Sequence, residues 1–169
     1  MVYIKLGISL LIIAICSYIG FLKADKYKNR IIELREMRSA LNIFKNKILF
    51  TYEPIGEIFK QIYTVTTNNI TSIFKEFLEK NENLPVPDAW DAAIENNENS
   101  FTTEDKNILK NFGKFLGVTN KDGQISEIEL TNEFLGKQIE KAEDERKQNE
   151  KLYRSLGVIC GIGISIILF

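Results

Sequence analysis

The feature that most constrains this chain is the apolar run at its C-terminal end, residues 156–169, which reads LGVICGIGISIILF. It carries no charged side chain and offers no polar face to water. A buried core helix is the alternative, because a full span of the ~30 Å hydrocarbon layer takes about 20 residues. If Leu152 and Tyr153 are included and Arg154 extends to the headgroups, the helix reaches about 27 Å at ~1.5 Å per residue. We therefore predict a C-terminal transmembrane helix over residues 155–169, in a slightly thinned bilayer.

A second apolar run, residues 6–22, lies near the other end of the chain. A secretory signal peptide is the alternative, but the run ends GFLK, which offers no pair of small residues for cleavage. A lipoprotein anchor at Cys16 does not fit either, because bulky Ile15 precedes that cysteine. The pattern predicts an uncleaved N-terminal transmembrane helix over residues 1–22 and a soluble domain over residues 23–154.

Composition narrows the chemistry that the soluble domain can perform. The chain has 169 residues, a formal net charge of −1 and no histidine. The near-neutral charge gives no field that would favour nucleic acid, and the missing histidine removes the commonest general base and zinc ligand. Cys16 and Cys160 both lie in the apolar runs, and no phosphate-binding loop or CxxC pair occurs. We therefore expect no enzyme activity, no cofactor, no metal site and no nucleic-acid partner.

Basic residues cluster beside both apolar runs. The cluster after the first run consists of Lys23, Lys26, Lys28, Arg30, Arg35 and Arg38. The cluster before the second run consists of Lys141, Arg146, Lys147, Lys151 and Arg154. The positive-inside rule then places the soluble domain in the cytoplasm. The first cluster is also a candidate contact for anionic lipid or an acidic partner surface, although setting the topology is the simpler role.

The soluble segment has helical periodicity, and no stretch alternates with a period of two. Apolar residues recur at intervals of three and four from Leu34 to Ile48, so the first span is predicted to continue as one amphipathic helix to Phe50. Pro54 and Pro87 suit the first turns of a second and a fourth helix.

Two further helices are predicted, one between the second and fourth helices and one after the fourth. A third helix is predicted over residues 70–79, and a fifth from a cap near Thr102 to Leu116, where Gly117 ends it. The predicted fold class is therefore all-α: a cytoplasmic helical bundle of about six helices, flanked by N-terminal and C-terminal transmembrane helices.

The sixth helix is predicted to begin at Ser126, since Ser126 and Glu129 match a capping box. Its apolar positions are Ile128, Leu130, Phe134, Leu135 and Ile139. Residues 140–151 are then almost entirely polar, which is typical of a helix that bridges solvent or pairs by charge. Pairs at i,i+4, namely Glu143–Lys147 and Arg146–Glu150, support a charged juxtamembrane helix, here called the stalk.

Residues 118–129, VTNKDGQISEIE, partly match an EF-hand calcium loop. Val118 stands at the first position, where an aspartate ligand is normal. The same letters fit a glycine-containing turn followed by a helix cap. A calcium-responsive protein that uses the loop from Asn120 to Glu129 is therefore an alternative, and the turn is the simpler interpretation.

Small residues recur at every fourth position in both apolar runs. They are Cys16, Gly20 and Ala24 in the first run, and Gly157 and Gly161 in the second. This spacing lets helices approach closely in lipid, so these residues are candidates for transmembrane packing. The alternative is that glycine is simply common in membrane helices.

Four segments of the chain match the pattern of a known family, in a resemblance that covers essentially the whole chain. They are residues 31–59 (IIELREMRSALNIFKNKILFTYEPIGEIF), 88–94 (DAWDAAI), 103–117 (TEDKNILKNFGKFLG) and 124–130 (QISEIEL). In order and spacing they resemble the stage III sporulation protein AB family. The chain departs from the family pattern at Asn46-Lys47 and at Asn120, where the family tends to have acidic residues.

The resemblance implies a function that the residues alone do not. The family is similar to the F-type inner-membrane platform proteins of type II secretion and type IV pilus systems, and it belongs to the complex that joins mother cell and forespore. It implies a place in the outer forespore membrane, with the soluble domain facing the mother-cell cytoplasm. The implied partners are other stage III sporulation A-operon proteins, especially the ATPase (protein AA) and the channel-forming subunits, together with membrane lipid.

Two functions are consistent with this outline. The first is a non-enzymatic membrane platform that docks a secretion-type ATPase to the membrane channel. The alternative is a membrane-tethered helical adaptor or sensor that dimerises through its stalk and transmembrane helices.

Overall fold

The structure, a computed structural model, describes residues 2–51 and 53–168, apart from the side chains of residues 2–6, 8–9, 68, 161 and 167–168. Within these ranges the chain forms six α-helices and no strand. They are α1 (Val2–Phe50), α2 (Ile55–Val65), α3 (Asn68–Lys80), α4 (Val86–Asn96), α5 (Thr103–Gly113) and α6 (Lys121–Leu168). The predicted all-α class is confirmed.

The chain divides into two compact units, which are described separately. One unit, here called the bundle, comprises Arg30–Glu140. The other, here called the helix pair, comprises Met1–Asn29 and Lys141–Phe169. Residues 23–29 and 141–154, which were predicted as part of the soluble domain, thus belong to the helix pair.

Aromatic side chains form the centre of the bundle. Phe59 on α2 lies 4.7 Å from Phe77 and 5.4 Å from Trp90, measured between ring centroids. Phe44 on α1 is 4.9 Å from Phe59, so the cluster joins α1 to the three helices that follow. All of these side chains are fully buried. Offset and edge-to-face contacts of this kind add about 0.5–1.5 kcal/mol each beyond the burial of their area.

The buried indole of Trp90 fixes the contact between α4 and α5. Its Nε1–H donates to the backbone oxygen of Leu109 over 2.8 Å, which satisfies the polar end of an otherwise apolar side chain. The same ring lies against Gly113, where a Cβ would come within 2.2 Å of Trp90 Cδ1. Glycine is therefore required at this crossing, since any larger residue overlaps the ring.

Most helix starts lie close to their predicted positions because local chemistry sets them. Pro54 immediately precedes α2, and α4 begins one residue before Pro87. Proline is tolerated in the first turn of a helix, because the backbone N–H that it lacks has no partner within the helix there. Thr102 and Asp105 form a capping box at α5, each side chain accepting from the other's backbone N–H. α5 ends at Gly113 rather than Leu116, because the chain tightens there into turns closed by i,i+3 hydrogen bonds such as that from Leu116 N to Gly113 O.

The start of α6 differs from the prediction. The helix begins at Lys121, so Ser126 lies inside it and does not act as the cap. Asn120 takes that role, since its Oδ1 accepts from the backbone N–H of Gly123 over 2.9 Å. The segment from Lys121 to Glu129 is consequently helix rather than an EF-hand loop, and the calcium interpretation loses the loop on which it depended.

The apolar positions of α6 also divide differently. Ile128, Leu135 and Ile139 are buried as predicted. Leu130 and Phe134, predicted to be buried with them, are 45% and 40% exposed. They lie on a different face of the helix, which borders α5.

The helix pair consists of the first part of α1 and the last part of α6, which run antiparallel. Many of its apolar side chains are exposed: Leu10, Leu11, Ile15, Tyr18, Ile19, Leu22, Ile159, Ile162, Ile164 and Ile166. Within the residues described, no helix contains a stretch that is both long enough and apolar enough to cross a bilayer. The transmembrane helices over residues 1–22 and 155–169 therefore stay predictions.

Candidate functional site

Two of the predicted partner-contact residues, Arg35 and Arg38, line an open groove on the bundle. They stand on the exposed side of α1, and α6 supplies the facing wall with Glu133, Gly136 and Lys137. The groove has a volume of about 750 Å³ and is open to solvent. It is here called the arginine groove, and it is the candidate functional site.

Helical spacing explains why α1 presents these groups together. Positions 35, 38, 39 and 42 all line the groove, and residues three and four apart share one face of a helix. On the opposite wall Gly136 leaves room for a long side chain. A Cβ on Gly136 would lie 3.7 Å from Arg38 Nη1, so the guanidinium extends across the bare backbone of α6.

The charges of the groove are mixed, with the guanidinium groups on one wall and carboxylates on the other. The Lys137 ammonium is 2.7 Å from the Glu133 carboxylate, so part of the α6 charge is neutralised locally. This hydrogen bond lowers the pKa of Glu133 below its ordinary value. Guanidinium groups bind carboxylates through two parallel hydrogen bonds, so Arg35 and Arg38 suit an acidic surface.

Arg30, the third arginine of the predicted cluster, does not reach this surface. Its guanidinium is buried and binds both carboxylate oxygens of Asp105, over 2.7 and 3.0 Å. It also donates to Gln138 Oε1 over 3.0 Å. The residue holds the bundle together, which is why a docking role for Arg30 does not fit its position.

The lysines of the predicted cluster lie in the other unit. Lys23, Lys26 and Lys28 are exposed on the part of α1 that belongs to the helix pair. The structure therefore divides the predicted cluster into three sets: lysines on the helix pair, arginines in the arginine groove, and the buried Arg30.

The small residues of the apolar runs meet within the helix pair. A Cβ on Gly20 would lie 2.7 Å from the backbone oxygen of Tyr153, and one on Gly157 would lie 2.8 Å from that of Cys16. Ala24, one turn along from Gly20, is fully buried. Two backbones approach this closely only where neither side carries a larger side chain. Gly161 lies outside the residues whose surroundings the structure describes.

Aromatic and charged groups extend this contact toward the stalk. The rings of Tyr27 and Tyr153 stack with centroids 5.8 Å apart. Burial, together with the hydrogen bond to Tyr153, raises the pKa of Tyr27. Arg154 lies 2.9 Å from Glu150 and 3.5 Å from Asp25, so an ion pair joins α6 back to α1.

One of the predicted stalk pairs is present as expected. Arg146 Nε lies 2.6 Å from Glu150 Oε2, an i,i+4 pair that lowers the pKa of Glu150. Lys147, predicted to pair with Glu143, lies 3.1 Å from Asp144 Oδ1.

The arginine groove was not predicted from the sequence, because its existence depends on which residues of α6 face α1. The available signal was Gly136, a glycine in the middle of a long helix, which favours a close approach by another group.

Comparison with known proteins gives consistent results. The family described as stage III sporulation protein AB matches residues 5–169. Stage III sporulation protein AB of Bacillus subtilis (strain 168) is 25% identical over 170 residues, which cover 98% of this chain and 99% of that protein. A solved structure of stage III sporulation protein AB superposes with a TM-score of 0.64 at 20% identity, over 71% of this chain and 98% of that one, which indicates a shared fold. The chain belongs to the stage III sporulation protein AB family.

Proposed function

We propose that this chain is a non-enzymatic membrane platform of the mother cell–forespore channel complex, and that it docks a secretion-type ATPase to the membrane. The observation that carries the proposal is the arginine groove. It places Arg35 and Arg38 on one face of α1, where their guanidinium groups suit an acidic surface on a partner. Electrostatic matching of this kind sets the orientation and speed of docking.

The proposal includes anchoring of the helix pair in lipid. Exposed apolar side chains such as Leu10, Leu11, Ile159 and Ile166 support it, since proteins seldom leave so much apolar surface to water. The anchors are the two transmembrane helices over residues 1–22 and 155–169. Lys23, Lys26 and Lys28 would then lie beside the anionic headgroups. We place the protein in the outer forespore membrane, with the bundle in the mother-cell cytoplasm.

The proposed partners follow from the family. They are the other stage III sporulation A-operon proteins, above all the ATPase (protein AA) and the channel-forming subunits. The near-neutral net charge of −1 gives no support to a nucleic-acid partner.

The dimerising adaptor is the weaker candidate. It would use the small residues of the apolar runs to pair two chains. Gly20 and Gly157 instead lie against backbone atoms of the same chain, so this face is already occupied.

Cell fractionation tests the platform proposal. In sporulating cells that carry the unaltered chain, we expect the companion ATPase to sediment with the membrane fraction. Replacing both groove arginines, Arg35→Glu and Arg38→Glu, should release most of the ATPase to the soluble fraction while the chain itself stays in the membrane. A matched control reverses two exposed lysines elsewhere on the bundle, Lys60→Glu and Lys80→Glu. Equal membrane association in all three strains would overturn the proposal.

A further inference from the structure

Both cysteines of the chain lie in the helix pair, near the point where its two backbones are closest. Cys16 is on α1 and Cys160 is on α6. Both are free thiols, the first half-buried and the second exposed. A Cβ on Gly157 would lie 2.8 Å from the backbone oxygen of Cys16 and 3.2 Å from Gly20 Cα, so the backbone of Cys16 takes part in the close approach.

The register of the two helices places the cysteines at the same level. The helices run antiparallel, and Gly20 faces Gly157, because a Cβ on Gly20 would lie 3.1 Å from Gly157 Cα. Cys16 stands four residues before Gly20, and Cys160 stands three residues after Gly157. At ~3.6 residues per turn, each cysteine lies about one turn beyond the two glycines, in the same direction along the helix pair.

Helical rotation also places the cysteines on the same side of the contact. Viewed along the helix pair, the step from Gly20 to Cys16 and the step from Gly157 to Cys160 turn in the same sense. At ~100° per residue, the first step overshoots a full turn by about 40° and the second falls short of one by about 60°. Because the two glycines face in opposite directions, the overshoot and the shortfall bring both cysteines to the same side.

We propose that Cys16 and Cys160 form a disulfide that joins the two helices of the helix pair. A disulfide needs Cα atoms ~4.4–6.8 Å apart and Cβ atoms that face each other. The contact between Gly20 and Gly157 holds the backbones close, and the cysteines lie only one turn, ~5.4 Å of helix axis, beyond it. This pairing lies outside the arginine groove, so it stands whether or not the ATPase binds there.

The oxidant that we assign to this step is hydrogen peroxide. The sulfur of one cysteine attacks a peroxide oxygen, the O–O bond breaks, and a sulfenic acid and one water form. The second thiol then attacks the sulfenic sulfur, which makes the S–S bond and releases a second water. Two electrons pass from sulfur to the peroxide, and the two thiol protons leave in the waters. The oxidised chain holds the two helices together covalently, whereas the reduced chain holds them by packing alone.

Counting free thiols in the full chain, reconstituted in lipid nanodiscs, tests this proposal. The chain has two cysteines, so each lost thiol is accounted for. After treatment with hydrogen peroxide and denaturation, a maleimide coupled to polyethylene glycol labels every remaining thiol and shifts the chain on a gel. We expect the parent chain to pass from two labelled thiols to none while it stays a monomer, and dithiothreitol to restore both.

The matched control moves one thiol by a single residue, in the variant Cys160→Ser with Ile159→Cys. Ile159 is 62% exposed and lies ~200° around α6 from Gly157, so its side chain faces away from α1. We expect this variant to close at least about tenfold more slowly, since a disulfide does not form when the Cβ atoms point apart.

Circular dichroism checks that both chains keep their helices. Equal rates of closure in the two chains, or two thiols that stay open in the parent chain, would overturn the proposal. Disulfide-linked dimers, or a loss of thiols that dithiothreitol does not reverse, would overturn it as well, because they indicate pairing between chains or oxidation beyond the sulfenic acid.

Discussion

Arg30 and Asp105 form a buried two-point ion pair, with Nε 2.7 Å from Oδ2 and Nη2 3.0 Å from Oδ1. Their side chains are 4% and 0% exposed. Asp105 also accepts from the backbone N–H of Thr102, so one carboxylate both caps α5 and binds it to α1. The pair consequently fixes how these two helices meet in the bundle.

Removing one member of this pair should destabilise the bundle severely. Arg30→Met leaves the Asp105 carboxylate buried without its countercharge, and we expect the free energy of unfolding to fall by about 3–5 kcal/mol. The double variant Arg30→Met with Asp105→Leu should recover part of that loss, since it removes both buried charges of the pair. Urea unfolding of the full chain in detergent, followed by circular dichroism, measures both.

The matched control for this prediction is Arg38→Met, an exposed arginine whose loss should change the stability by no more than ~0.5 kcal/mol. A loss below about 1 kcal/mol in Arg30→Met would contradict the structural role assigned to the buried pair.

Gly113→Ala should disturb the bundle through the tryptophan ring. The added Cβ would come within 2.2 Å of Trp90 Cδ1, so the ring must shift away from Leu109. We expect a loss of about 1–3 kcal/mol, as in other overpacked cores. Trp90 is the single tryptophan of the chain, so its fluorescence reports the change directly.

The control for this substitution is Gly56→Ala in α2, where the nearest side-chain atom would be 3.6 Å from the new Cβ. Alanine should be neutral or slightly stabilising there, because it favours the helix more than glycine does. Equal stability and unchanged fluorescence in Gly113→Ala would show that the ring is not confined as described.

Gly20→Val should separate the two helices of the helix pair. The new side chain would overlap the backbone oxygen of Tyr153, which cannot move as a flexible side chain can. Spin labels at positions 27 and 153, where the native rings stack 5.8 Å apart, should lose their strong dipolar broadening. Labelling requires a background in which Cys16 and Cys160 are serine.

Gly7→Val serves as the control in the same labelled background, because, apart from its chain neighbours and the nearby backbone of its own helix, no atom lies within 4 Å of a Cβ built there. If Gly20→Val kept the broadening of the parent chain, the close approach of the two backbones would be refuted.

The surface pair of Glu95 and Lys110 should make a small part of the stability depend on pH. The Lys110 ammonium lies 2.9 Å from Glu95 Oε2, and this hydrogen bond lowers the pKa of Glu95 below its ordinary value of 4.5. Because the pKa of Glu95 is lower in the folded state, the pair stabilises the fold at every pH above the ordinary pKa of a glutamate. This stabilisation is lost as the pH falls through the lowered pKa of the folded state. Unfolding measurements from neutral to acidic pH should therefore show that Glu95→Gln is less stable at neutral pH, with a difference that shrinks toward acidic pH. A difference that stays constant over the range would rule the pair out as its source.

The helices of the bundle were largely predictable because their signals are local. Apolar residues from Leu34 to Phe44 repeat on one face of α1 and are buried there. Pro54 and the capping box at Thr102 mark helix starts through the chemistry of neighbouring residues. α6 shows the limit of this reasoning. Ser126 was predicted to cap this helix, whereas Asn120, six positions earlier, acts as the cap.

Contacts between distant parts of the chain were not predictable in this way. Arg30 and Asp105 are 75 positions apart, and nothing in the local pattern distinguishes Arg30 from the exposed Arg35 and Arg38. Leu130 fitted the apolar periodicity of α6, yet packing left it exposed beside α5. The periodicity predicts that a helix has an apolar side, whereas the number of neighbours that cover it is a property of the whole fold.

The most direct test of the platform proposal is the dissociation constant between the full chain in lipid nanodiscs and the companion ATPase, with and without nucleotide. We predict saturable binding that weakens at least about tenfold, or ~1.4 kcal/mol, when Arg35→Glu and Arg38→Glu reverse the arginine groove. The control variant with Lys60→Glu and Lys80→Glu should bind like the parent chain. Absence of binding in every nucleotide state, or equal weakening by the two variants, would contradict the proposal that this groove docks the ATPase.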